Sequence, residues 1–112
     1  MKTLLAAMAM AAALLAPSQS AVASETGLAI IHSWAKAGKK TCFSEHYHYG
    51  SGQGATRSQA QAAAVSSWVW PTDLEYGSSW ADYRLAADKR LACSRNGVAW
   101  SCDTQARPCR PF

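Results

Sequence analysis

The sequence predicts an α+β fold: a small antiparallel sheet, built from a first strand and a C-terminal hairpin, covered by one Ala-rich helix and tied by two disulfides. Three observations carry this expectation. The run Ala60-Gln61-Ala62-Ala63-Ala64 has the highest helix propensity in the chain beyond its N-terminal apolar stretch. Asn96-Gly97, two residues that tolerate positive φ, lies between stretches of alternating polarity and marks a hairpin. Four cysteines in a short chain, with no Cys-x-x-Cys among them, read as two structural bridges rather than a zinc ribbon or redox pair.

Residues 1–23 read as a secretory leader. Lys2 supplies the positive start, Leu4 to Leu15 the apolar run, and Ala21-Val22-Ala23 the small-residue cleavage site. The apolar run is shorter than the roughly 20 residues a spanning helix needs. The expected mature chain, residues 24–112, is a single disulfide-stabilised domain of periplasmic or secreted address, with no transmembrane segment. It is small for a core to stabilise alone. Large aliphatics are few, but all five Trp, all four Tyr and both Phe lie beyond Ala23. Each can bury about 150–250 Å², so Trp34, Trp68, Trp80 and Trp100 are expected in the core.

Taken in order, Leu28, Ile31, Trp34 and Ala35 recur at helical spacing, which predicts a short helix between Ser24 and Lys40 with Gly38 as its stop. Lys40 to Tyr49 is rich in β-formers and predicts a strand, with Cys42, Ser44, His46 and His48 on one face. Gly50, Gly52 and Gly54 then predict a loop. Thr56-x-x-Gln59 and Ser58-x-x-Gln61 are overlapping capping boxes that open the helix Ser58 to Val69, with Pro71 as its stop. Thr72-x-x-Glu75 reads as a separate capped turn.

Beyond it, alternation from Tyr83 onward and from Val98 to Ala106 predicts a long hairpin that buries Trp68, Tyr83, Leu85, Leu91 and Trp100 together under the helix. A two-residue Asn96-Gly97 turn would set Cys93 diagonal to Cys102, whereas a four-residue loop from Asn96 to Ala99 would set them opposite. The preferred pairing is Cys93 with Cys102 and Cys42 with Cys109.

Without Lys2 the chain carries 10 basic against 7 acidic side chains, a net charge of +3 spread thinly along it. That fits an anionic small molecule or polysaccharide better than nucleic acid, which is not expected as a partner. Two stretches are candidate sites. Gly52, Gly54, Thr56 and Arg57, a Gly loop entering a helix N-terminus, can offer N–H groups and a guanidinium to an anion. His46-x-His48 offers two imidazoles from one strand face to Cu²⁺ or Zn²⁺, with a third ligand required from His32, Glu45 or an acid elsewhere.

For catalysis there is no convincing set. Ser51 is not in a nucleophile elbow, the cysteines are paired, and the acids are scattered. The expectation is therefore a non-catalytic exported binding protein for an anionic ligand. The alternatives are a periplasmic copper or zinc binder and an inhibitor of an extracytoplasmic enzyme acting through the hairpin or tail.

Overall fold

The computed structural model describes residues 24–112, so the expected leader, residues 1–23, lies outside the described residues. Over these residues the fold is α+β, with one α-helix, small antiparallel sheets and two disulfides. Six strands form two three-stranded sheets instead of one. The smaller sheet has the order β1 (Trp34–Ala37), β2 (Lys40–Phe43), β6 (Cys109–Arg110), and the larger β3 (His48–Gly54), β5 (Ala99–Arg107), β4 (Ala87–Asn96). Both sheets grow from one antiparallel ribbon. The chain that forms β2 and β3 runs alongside the chain that forms β5 and β6, and both cross from sheet to sheet at the same place.

At that crossing the register shifts by three residues. Cys42 faces Cys109 on one side, and His48 faces Ala106 on the other. Ser44 to Tyr47 is the surplus, a bulge-like excursion opposite Pro108, whose missing N–H interrupts the ladder. Pro108 still contributes its carbonyl, which accepts from the Phe43 amide at 3.0 Å. Arg107 spans the break by donating to the Phe43 carbonyl and to Asp88.

The one α-helix among the described residues, α1 (Arg57–Tyr76), lies across β3 and β5. Thr56 caps it as expected: its hydroxyl accepts from Gln59 N at 3.1 Å, and the Gln59 side chain returns to Ala55 N at 3.1 Å. Ser58 is inside the helix, so the second capping box does not form. The Gly run is not a loop but the body of β3. A Cβ on Gly50 would sit 2.2 Å from the Ala64 carbonyl oxygen, and one on Gly52 2.4 Å from Ala64 N. These glycines let helix backbone and strand backbone touch, and Ala60 and Ala64 are fully buried in that contact.

The second surprise is length. Pro71 does not stop α1, which runs on to Tyr76. A mid-helix proline removes one hydrogen bond and crowds the carbonyl four residues back, a cost of about 3 kcal/mol. What offsets it is burial beyond the proline: Thr72 is fully buried and Tyr76 is 2 % exposed. The expected separate turn at Thr72-x-x-Glu75 is therefore the last turn of α1.

The expected helix between Ser24 and Lys40 is replaced by a 3₁₀ turn at Leu28–Ile31 and the hairpin β1–β2, with Gly38 in its turn. Local spacing favoured a helix there, but pairing with β2 decided otherwise. Leu28, Ile30 and Ile31 stay exposed. The C-terminal hairpin forms, beginning at Ala87 rather than Tyr83, because a 3₁₀ turn at Ser78–Trp80 and tight turns occupy the approach. Its two loop residues are Gly97 and Val98, with Gly97 at φ 65° and Asn96 paired to Ala99.

That register sets Cys93 opposite Cys102, and the bridges are Cys93–Cys102 and Cys42–Cys109. Leu91, expected in the core, is 40 % exposed because β4 is an edge strand that α1 does not reach across. Trp68 and Trp80 are fully buried, whereas Trp34 is 40 % exposed and Trp100 only half-buried. No helix among the described residues is long and apolar enough to cross a membrane.

Candidate metal centre

The chain has three histidines, and all three converge where the ribbon crosses between its sheets. His32 closes the 3₁₀ turn, its amide donating to Ala29 O at 3.1 Å. His46 stands in the Ser44 to Tyr47 excursion, and His48 is the first residue of β3. Facing them is the last turn of α1. Trp68, Thr72, Glu75 and Tyr76, spaced by four, seven and eight from the first, lie on one helix face.

Tyr76 is the hub. Its hydroxyl lies 3.0 Å from His32 Nε2, 2.9 Å from His46 Nε2 and 3.4 Å from His48 Nε2. Glu75 Oε2 lies 3.0 Å from His48 Nε2. The donor atoms of His46, His48 and Glu75 all fall within 4.8 Å of one another.

Aromatic packing sets the walls. His32 and His46 stack with centroids 4.3 Å apart, and Phe43 lies against His32 at 4.9 Å and Tyr76 at 4.8 Å. Phe43 in turn stacks on Trp80 at 4.4 Å, so the rings continue into the smaller core of Ala29, Phe43, Tyr76 and Trp80. A pocket of about 300 Å³ lined by Ile31, His32, Ser33, Glu45 and His46 opens the cluster to solvent. The larger groove, about 440 Å³ between Val65, Val69 and Tyr83, holds none of the histidines.

The orientation of His48 is fixed from behind. Thr72 Oγ1 donates to the Trp68 carbonyl at 2.6 Å, so its one proton is committed. The same oxygen lies 3.0 Å from His48 Nδ1 and therefore accepts from an Nδ1–H. In the neutral ring Nε2 then carries the lone pair, and it points at Glu75 and Tyr76. A neighbour that holds the far ring nitrogen is the usual support of a metal-binding histidine.

Electrostatics make this arrangement unusual. The short His48–Glu75 contact alone would read as an ion pair, but the net shift of His48 is downward. Burial is the largest cause, opposed by the Glu75 charge and reinforced by His46 and His32. Burial outweighs the carboxylate because His48 is only 8 % exposed while Glu75 is half in solvent. His46 is lowered too, first by burial and then by the charge of His32, with Glu75 opposing. Near neutral pH the favoured state sets an imidazole lone pair against a carboxylate at 3.0 Å, an unfavourable contact unless a proton or another cation lies between. Tyr76 is pushed up to about 12, by burial first and then by the Glu75 charge and hydrogen bond.

Of the residues expected to act, His46 and His48 are brought together and His32 joins them. Glu45 is exposed and lines the entrance, and the acid within reach is Glu75. The sequence reading missed Thr72, Glu75 and Tyr76 because it ended the helix at Pro71. Continued through the proline, the helical spacing from Trp68 would have placed all three on the helix face that carries Trp68.

The other stretch fares differently. Gly52 and Gly54 belong to β3 and abut α1, Thr56 is committed to capping, and the Arg57 guanidinium lies 5.8 Å over the Trp100 ring. The loop on which the anion expectation rested is a strand. Its glycine faces are covered by Ala63, Ala64 and Gln59.

Fold and site together define a small two-disulfide α+β domain with a histidine-lined pocket at the junction of two sheets. In comparisons with known proteins, no family model, curated protein or solved structure matches this chain.

Proposed function

We propose that this protein is a non-catalytic, exported binder of a divalent transition metal, Cu²⁺ or Zn²⁺, held at the junction of the two sheets by His46, His48 and Glu75. The observation that carries the reading is the convergence of His46 and His48 on the Glu75 carboxylate, with His48 Nε2 aimed inward by Thr72. Imidazole nitrogen with one carboxylate oxygen is a donor set that suits zinc and copper(II). A cation at Nε2 replaces the unfavourable contact between lone pair and carboxylate with two bonds.

The fit in space is close. Ligands at about 2.0–2.1 Å in a tetrahedron lie about 3.3 Å apart. His48 and Glu75 already meet this, and His46 and Glu75, both partly exposed, can close what remains by side-chain rotation. The two disulfides and the leader expected over residues 1–23 support an oxidising, extracytoplasmic address. The metal reading is preferred to the anion reading because Arg57 and Thr56 already have intramolecular partners.

Isothermal titration of the disulfide-intact protein with Cu²⁺ and with Zn²⁺ tests it. One ion is expected to bind with Kd below about 1 μM, and His46→Ala/His48→Ala is expected to weaken this at least 100-fold. Binding no tighter than micromolar, or indifferent to the double substitution, removes the metal reading.

A further inference from the structure

The geometry points to the Tyr76 hydroxyl oxygen as a fourth, direct ligand of that ion, bound as phenolate beside Glu75. The inference rests on the metal reading above and deepens it by assigning the donor that completes the set.

Its basis is distance. An atom that belongs to the donor set sits at an edge length from the others. For bonds of about 2.0–2.1 Å this is about 2.9 Å between ligands at right angles and about 3.3 Å in a tetrahedron. Between the proposed ligands, the Tyr76 oxygen is 2.9 Å from His46 Nε2 and 3.4 Å from His48 Nε2. These are edge lengths. An ion bonded to both His46 and His48 would therefore have the Tyr76 oxygen within reach as a further vertex.

Two further features agree. Tyr76 is held from both sides, its ring against Phe43 at 4.8 Å and its carbonyl accepting from Thr26 N at 3.1 Å, so the oxygen is presented by a fixed backbone. Charge also closes. A dication with one carboxylate and one phenolate is neutral, which suits donors backed by the Phe43 ring, which lies against His32 and Tyr76. When the O–metal bond forms, the phenol O–H bond breaks and its proton leaves to bulk water through the opening beside His46. No electron is transferred. His32, stacked on His46, stays outside the first set and orients that ring.

Copper(II) makes the inference visible, because a phenolate bound to it gives a charge-transfer band in the visible that imidazole and carboxylate do not. Titration of the intact protein with Cu²⁺ is expected to raise such a band in step with binding, saturating at one equivalent. Tyr76→Phe keeps the ring and its contacts with Phe43, and is expected to lose the whole band. It should still bind Cu²⁺ through His46, His48 and Glu75, at least about tenfold more weakly, the loss that removing even an outer-shell partner brings.

If Cu²⁺ binds in a histidine-dependent way and wild-type protein shows no band, Tyr76 is not a ligand and the metal reading stands. A band that persists in Tyr76→Phe overturns the assignment in the same way. If Cu²⁺ does not bind at all, both readings fall together. The wild-type spectrum alone decides the matter should the variant fail to fold.

Discussion

The two halves of α1 are packed by opposite means. From Arg57 to about Trp68 the helix meets β3 through Ala60, Ala64 and the glycines at 50 and 52, with backbone against backbone and almost no side chain between. From Thr72 to Tyr76 it meets the crossing of the ribbon through large groups, the rings of Phe43, His48 and Tyr76, and a chain of hydrogen bonds. Where the first half meets Gly50 and Gly52 it has no room for an added atom. The second has an opening of about 300 Å³, three imidazoles and a carboxylate. Close packing fixes the helix at one end so that its other end can hold polar groups at set distances. Trp68 is the pivot, fully buried, with Nε1 donating to Ala106 O at 3.2 Å.

Perturbing the two halves should give effects of different kind and size. The largest is expected at the glycine contact. Gly52→Val drives a branched side chain into Ala63 and Ala64 at positions where a single Cβ would already lie 2.4 Å from backbone nitrogen. Because the obstruction is backbone, the cost should exceed the usual overpacking range and reach about 4–5 kcal/mol. Urea unfolding monitored by Trp fluorescence would measure it. A loss below about 1 kcal/mol would mean that α1 and β3 are not in contact as described.

The disulfides come next, one serving each sheet. Cys42–Cys109 closes a separation of 67 residues and Cys93–Cys102 one of 9. On the chain-entropy account the pairs contribute about 4.4 and about 2.6 kcal/mol. Replacing Cys42 and Cys109 by Ser should therefore destabilise by roughly 2 kcal/mol more than replacing Cys93 and Cys102. Equal effects would show that the smaller sheet depends less on its bridge than on its rings.

Smaller still is the effect of acid on the second half. His46 and His48 both lie below their usual 6.5 in the folded protein. The unfolded chain then binds more protons as pH falls through about 6.5, so folded stability is full above that value and declines below it. The groups facing these rings are His32, Glu75 and Tyr76, and only Glu75 opposes the shift. Midpoint denaturation measured at pH 8, 6.5 and 5 should fall progressively, and His46→Gln/His48→Gln should flatten the profile. A flat wild-type profile would contradict the burial-led shift.

How much of this was legible in the residues differs between the halves as well. The Ala-rich helix, its Thr56 cap and the hairpin around Gly97 depend on neighbours a few residues apart, and they appear where the sequence puts them. The disulfide pairing followed once the hairpin register was known. Gly50 to Gly54 misled because alternating glycines read locally as a loop. Their use as a flat strand face is visible only with Ala60 and Ala64 laid against them. Pro71 misled more seriously. Its local cost is real, yet burial of Thr72 and Tyr76 outweighs it, and that burial comes from β3 and Phe43, remote in sequence.

By itself, then, the sequence determined the class of fold, the helix start, the presence of two bridges and the pair His46 and His48 as a place to look; which cysteines pair was settled by the strand register. Only the tertiary structure could decide that His32, Glu75 and Tyr76 complete the cluster. Those groups come from a 3₁₀ turn, a strand crossing and the far end of a helix, and their meeting depends on the three-residue slip in register between β2–β6 and β3–β5. Such a slip is a balance of long-range pairing and packing free energies, and no local preference of the residues at 44 to 47 encodes it.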